Sequence, residues 1–176
     1  MKTLRRVVTG IDASGKSCVA IDGPPANIRE GGGRGAAEFW VTDATPADNA
    51  APGDAAERPP RLEPPASGSA IRYIMVPPED KALSPAELEA QSAARFAAMG
   101  ASHCRVDTSR HPSMHVTRTV DYIVVLSGRI TLLLDKGEVE LKPFDLVVQR
   151  GTNHGWVNRG TEPALMAAIL IDAKPL

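Results

Sequence analysis

Between Tyr122 and Ile171 the chain breaks into six short β-prone runs, each closed by a turn rich in Gly, Pro, Asp or Asn, and this cadence restricts the fold more than any other feature. Tyr122–Leu126 is apolar and β-branched, Ser127-Gly128 reads as a turn or bulge, and Arg129–Leu134 alternates so that Ile130, Leu132 and Leu134 share a face. Asp135-Lys136-Gly137 leads into Glu138–Leu141, Lys142-Pro143-Phe144-Asp145 into Leu146–Gln149, Arg150–Asn153 into Gly155–Asn158, and Arg159–Pro163 into a closing strand Ala164–Ile171. Short strands at close, even spacing indicate a sandwich or small barrel rather than a parallel α/β sheet.

At 176 residues the chain suits one globular domain with some appended structure. Twenty Lys and Arg nearly cancel 21 Asp and Glu, so no net field draws it to nucleic acid or to an anionic membrane. No apolar run approaches the length of a membrane span or a signal core, and a cytoplasmic location is expected. Cys18 and Cys104 match neither a CxxC site nor a disulfide framework and read as buried or half-buried small residues.

Upstream, residues 5–22 give two β-rich runs around Asp12, Ser14 and Gly15, a hairpin that needs a further partner because an isolated hairpin is marginal in water. Ala37–Asp43 is a third run. The glycines of GGGRG (31–35) precede no GK[ST] and open no helix, so they read as a flexible loop rather than a phosphate cradle. Residues 44–69, rich in Pro, Ala, Gly, Asp and Glu, supply little core and are either mobile or laid across the surface, and a strand-like IRYIMVPP follows at 71–78. Residues 1–70 are therefore read as an N-terminal β extension and linker, and 71–176 as the barrel with its preceding helix. That helix spans 84–99: Ser84 at N-cap, Pro85 at N1 and Glu87 at N3 form a capping box, and Gly100 closes it. Leu88, Phe96 and Met99 make its packing stripe, weakened by Ser92 and Arg95, and it reads as an outer brace on a sheet.

The segments HVTRTVDYIVVLSG and GEVELKPFDLVVQRGTNHGWVN resemble the two motifs of cupins, over about residues 100–172. The first family motif runs HxH, three or four residues, Glu, six residues, Gly; His115 matches the first His, Thr117 falls at the second, Asp121 at the Glu and Gly128 at the closing Gly. Gly151, His154 and Asn158 match the end of the second, with Gln149 where proline is usual. The resemblance implies a mainly β, double-stranded β-helix (jelly-roll) barrel with an N-terminal β extension and one bracing α-helix. It also implies an interior site for a divalent metal, with His115, His154 and Asp121 as the remaining ligands. Two His and one carboxylate with open positions suit Fe, Mn, Ni, Co or Zn. Asp121 could equally orient a histidine instead of touching the ion.

Geometry sets one condition. Six residue steps of a straight strand would separate His115 from Asp121 by about 20 Å, so the chain must bend between Thr117 and Val120, without Gly, Pro or Asn to help. Trp156, two residues past His154 and on the same strand face, would wall a small-molecule pocket. Tyr122, Thr117 and Arg150 are the other candidates for substrate contact, with Arg110 a further one; His111 reads as a rim residue. The expected function is a metal-dependent enzyme acting on a small organic substrate inside the barrel; the alternatives are a metal-free isomerase, dehydratase or cyclase, or a non-catalytic small-ligand binder. Cupins are commonly dimers, and a homodimer through the N-terminal strands is expected; a light-scattering mass equal to one chain would refute it.

Overall fold

The computed structural model describes residues 4–176; the first three residues of the expected N-terminal extension lie outside the described residues. Strands β1 (Arg6–Ile11) and β2 (Ser17–Gly23) form the expected hairpin, with Asp12 capping its turn through Ser14 and Lys16. Among the described residues it pairs with no third strand, and Val7, Ile11 and Val19 stay exposed. Strands β3 (Asn27–Gly31) and β4 (Arg34–Thr42) follow. Here the structure corrects the reading of residues 31–35 as a flexible loop. Gly31 pairs with Arg34 across a two-residue turn in which Gly32 and Gly33 both have positive φ, 55° and 75°, the mirror-image turn that matches strand twist.

Residues 44–68 cross the surface without a strand or helix yet are tied down. Arg6 pairs with Asp54, Asn27 donates to the Ala56 and Arg58 carbonyls, and Leu62 packs against Phe96. The linker thus contributes core where little was expected, since Ala56 is fully buried. Strand β5 (Ser69–Val76) enters the main sheet, and helix α1 (Pro85–Ala98) carries the full capping box at Ser84 and Glu87, with Gly100 at φ 65° beyond its end. Its inner face includes Ser92 and Arg95, the two residues that weakened the apolar stripe.

After a 3-10 turn at Ser102–Cys104 come β6 (Thr119–Ser127), β7 (Ile130–Leu134), β8 (Glu138–Leu141), β9 (Leu146–Arg150), β10 (His154–Val157) and β11 (Ala164–Asp172). All pairings are antiparallel, in a six-stranded sheet ordered β3-β4-β5-β11-β6-β9 and a three-stranded sheet ordered β10-β7-β8. The two sheets close over one apolar core: Val125, Met166 and Leu170 from the larger meet Ile130, Leu132 and Leu141 from the smaller. Each such side chain contributes roughly 1.5–3 kcal/mol on burial, and strict alternation along β11 and β6 aims them inward.

Candidate functional site

A cavity of about 480 Å³ opens between the strand ends and α1, and it is lined by His115, Thr117, Asp121, His154 and Trp156 from the barrel and by Phe96 from the helix. The helix expected to be an outer brace also lines the cavity, through Gln91, Arg95, Phe96 and Met99. Arg105 fastens it there, bonding Glu89 of α1 at 2.6 Å and the Pro112 carbonyl at 3.2 Å, close to the segment that carries His115.

The two histidines face each other across an isolated antiparallel bridge. His115 N–H donates to the His154 carbonyl at 2.8 Å and His154 N–H to the His115 carbonyl at 3.0 Å. Their rings stand 4.2 Å apart between centroids at 45°. Nδ1 of His115 lies 2.9 Å from the Ser113 carbonyl and Nδ1 of His154 lies 2.9 Å from the Thr152 carbonyl. A carbonyl oxygen only accepts, so each Nδ1 carries the proton and each Nε2 keeps its lone pair for the cavity. Burial pushes the His115 imidazole down to about 4, against the Ser113 carbonyl and with the Arg95 charge. Burial also pushes His154 down to about 3, with the neighbouring His115 adding to it. Both rings are neutral near pH 7, the form that binds a metal or accepts a proton.

Two residues with other apparent duties hold these rings. Buried Gln149 donates to the Thr152 hydroxyl at 2.8 Å and to its carbonyl at 3.3 Å, fixing the loop whose carbonyl orients His154. Gly155 lets the strands approach: a Cβ there would stand 2.7 Å from the Ser113 hydroxyl oxygen. Behind Ser113, His111 bridges that hydroxyl and Glu79, each at 2.7 Å, so His111 supports the segment from behind.

The required bend falls at Arg118, between the bridge residue His115 and the first residue of β6. No turn residue makes it; distant chain does. Arg118 N–H donates to Glu63 of the linker at 2.9 Å, the Arg118 carbonyl accepts from Ala173 N–H at 2.9 Å, and Gly151 N–H donates to the Thr119 carbonyl at 3.0 Å. The hydroxyls of Thr117 and Thr119 meet at 2.7 Å beneath it. Asp121 follows, 5% exposed, with Oδ1 buried and without a hydrogen-bond partner. Burial raises its carboxyl to about 6, against the pull of the Thr119 hydroxyl and of Arg72. Arg72 is itself buried and paired with Glu38 at 3.2 Å.

The donor chemistry of the two Nε2 atoms fits a divalent ion, and Asp121 lines the same cavity. Among the described residues, the trio of His, Cys, Asp or Glu whose donor atoms gather within 4.8 Å is Glu63, His103 and Cys104, outside the barrel. There His103 Nε2 lies 2.9 Å from Glu63 and 3.5 Å from the Cys104 sulfur, and burial pushes the thiol up to about 11, with Glu63 adding to it. Cys104 is buried as expected and Cys18 is exposed.

Tyr122 and Arg150 face away from the cavity, a correction to their reading as substrate contacts. Asp121 and Ile123 point inward, so Tyr122 between them points out and is 40% exposed; inward Gln149 likewise sends Arg150 out. Arg110 instead bonds the Leu134 and Gly137 carbonyls of the β7–β8 turn. Trp156 lines the cavity, its ring edge-on to His154 with centroids 5.9 Å apart. Residues that strand patterns could not supply complete the wall: Arg34 of β4, Arg72 of β5, Leu62 of the linker, and Arg95 and Phe96 of α1. The Phe96 ring sits 4.9 Å from that of His115.

Comparison with known proteins finds partial matches. Among curated proteins, phomopsin biosynthesis cluster protein C' of Diaporthe leptostromiformis is 51% identical over 65 residues, 36% of this chain and 34% of that protein. The cupin-domain-containing oxidoreductase virC of Hypocrea virens is 39% identical over 67 residues, 36% of this chain and 34% of that one. The chain therefore spans about a third of the length of the curated relatives it matches. Among solved structures, a Cupin 2 conserved barrel domain protein from Salinispora arenicola CNS-205 superposes with TM-score 0.44 at 17% identity, covering 84% of this chain and 83% of that one. The Schizosaccharomyces pombe Cnp3 cupin domain gives 0.47 at 10%, covering 96% and 87%. Residues 102–171 match the family model described as Cupin_2, cupin domain.

Proposed function

We propose that this protein is a cupin enzyme of the oxidoreductase type, acting on a small organic molecule in the cavity, with His115 and His154 holding a divalent metal ion. The observation that carries the reading is the pair of buried neutral imidazoles whose Nδ1–H groups are locked onto carbonyls, leaving both Nε2 lone pairs for the cavity. The partial likeness to three cupin-domain-containing oxidoreductases supports the reaction class. A divalent ion bound there supplies a Lewis acid with open positions for a substrate oxygen or O₂. The chain itself binds the substrate's apolar body against Trp156 and Phe96 and limits water through α1. Thr117 and Asp121 present oxygen atoms along the same wall.

One observation favours a second reading, metal-free acid–base chemistry: Asp121, with its carboxyl raised to about 6 and Oδ1 unpaired, lines the same cavity as the histidine pair. Metal analysis of the purified protein separates the two. About one ion per chain, lost in H115A and H154A and retained in C104A, is the expected result. Loss in C104A alone would place the ion with Glu63, His103 and Cys104 and refute the histidine assignment. A metal-free wild type that is still active on its substrate would give the acid–base reading the field.

A further inference from the structure

The cavity that the proposed function rests on carries more cations than anions, with Arg29, Arg34, Arg72 and Arg95 on its wall against Glu30 and Asp121. Arg34 on β4 and Arg95 on α1 both line it, and among the described residues neither has a carboxylate within ion-pair distance. Of the other arginines, Arg72 on the cavity wall is committed to Glu38 at 3.2 Å and Arg105 behind the helix to Glu89 at 2.6 Å, while Arg29 lines the cavity as a further cation. Arg95 has only a long 3.4 Å contact to the Ser92 hydroxyl and a place over the Phe96 ring, 5.4 Å from its centroid. Glu79, the acid nearest Arg34 in effect, is held by His111 at 2.7 Å. Burial lowers both guanidinium groups, and Arg95, pushed down to about 10, also feels the repulsion of Arg34 and Arg105. Two half-buried cations that repel each other beside an apolar chamber are costly unless a further anion joins them.

Beside these cations the wall carries the apolar Phe96, Met99, Ile74 and Trp156, together with Thr117, Asp121 and the buried histidine pair. The Arg95 charge reaches His115, so a group held by Arg95 lies within electrostatic range of the reacting end. We propose that the substrate is a small amphipathic oxyanion, a carboxylate or its equivalent, gripped by Arg34 and Arg95 with its apolar body directed past Phe96 toward His115 and His154. This rests on the cavity being the substrate site. Guanidinium forks take such an oxyanion through paired N–H···O bonds, which a neutral analogue cannot replace.

A matched pair of fluorescent probes tests the proposal: 8-anilinonaphthalene-1-sulfonate, an apolar oxyanion, and N-phenyl-1-naphthylamine, the same skeleton without charge. The wild type should bind the sulfonate one to one, on the order of tenfold or more tighter than the neutral probe. R34M and R95M should each erase most of that preference while leaving the neutral probe's affinity within about twofold, and R95K should keep part of it. Thermal melts identify any variant that fails to fold, and R34M, on a different element from R95M, then carries the test. Equal binding of the two probes, or a preference unaltered in both methionine variants, overturns the oxyanion assignment and leaves the cavity reading standing. Binding of neither probe overturns both.

Discussion

Asp121→Asn isolates a carboxylate that the barrel holds at a cost. The wild-type carboxyl is raised from 3.8 to about 6 by burial, opposed by the Thr119 hydroxyl and by Arg72, whose own partner is Glu38. At 5% exposure solvent screening does little to soften this. Below about pH 3.8 the folded and unfolded chains both hold the proton, and Asp121 contributes nothing. Between there and about pH 6 the unfolded chain releases its proton first, so stability falls as pH rises. Above about pH 6 the full penalty applies, roughly 3 kcal/mol for a displacement of this size. The substituted asparagine never ionises and escapes it. Urea unfolding of wild type and D121N from pH 4 to pH 8 should therefore show curves that converge at the acid end. They should diverge to about 3 kcal/mol in favour of D121N at pH 7.5, near ten degrees in melting temperature for a chain of this length. The two histidines titrate alike in both proteins, so the difference between the curves reports Asp121. A gap that does not change with pH, or a D121N less stable than wild type at pH 7.5, would refute the reasoning and show that the carboxylate is stabilised by Arg72 more than burial disfavours it.

Gly128 sits at φ 73° between β6 and β7, and a Cβ there would lie 2.6 Å from the Pro163 carbonyl oxygen and 2.8 Å from the Ala164 Cα. Backbone on both sides leaves no cheap escape, so G128A should lose roughly 2–4 kcal/mol in denaturant unfolding, and an unchanged midpoint would contradict the turn geometry. Glu63→Ala removes the acceptor for Arg118 N–H at the bend. It should cost about 1–2 kcal/mol and speed hydrogen exchange of the Arg118 amide, with E63Q restoring much of the protection; an Arg118 amide equally protected in E63A would mean that the bend is held from elsewhere.

The barrel was legible because alternation and turn chemistry are local. Each run between Tyr122 and Ile171 names its inward face by every second residue, and Ser84, Glu87 and Gly100 mark the limits of α1 within a few positions of where they act. The same alternation, applied to the site, excludes Tyr122 beside Asp121 and Arg150 beside Gln149, since neighbours on a strand cannot share a face. The Gly32-Gly33 turn was also written in the sequence, as two residues permitted at positive φ between paired strands.

What local pattern cannot contain is contact between residues far apart in the chain, and the site depends on such contacts. Two histidines and the turns around them follow from the sequence, because spacing along one segment sets which strand end each occupies. The bend at Arg118, between Thr117 and Asp121, depends on Glu63, Ala173 and Gly151, which meet Arg118 and Thr119 only after the barrel closes. Asp121 is placed by β6 in its sheet and the histidine pair by an isolated bridge, so where the carboxylate stands relative to the two rings is set by tertiary packing. Arg34 and Arg95, 61 positions apart, share a cavity wall because α1 is held beside the barrel, tied by Arg105 to the Pro112 carbonyl and packed by Leu62 at the Phe96 cluster. The sequence by itself determined the strands, their faces and the two imidazoles; the tertiary structure decided which charges converge on them, because electrostatics and ligation depend on distance in space, and burial sets their strength.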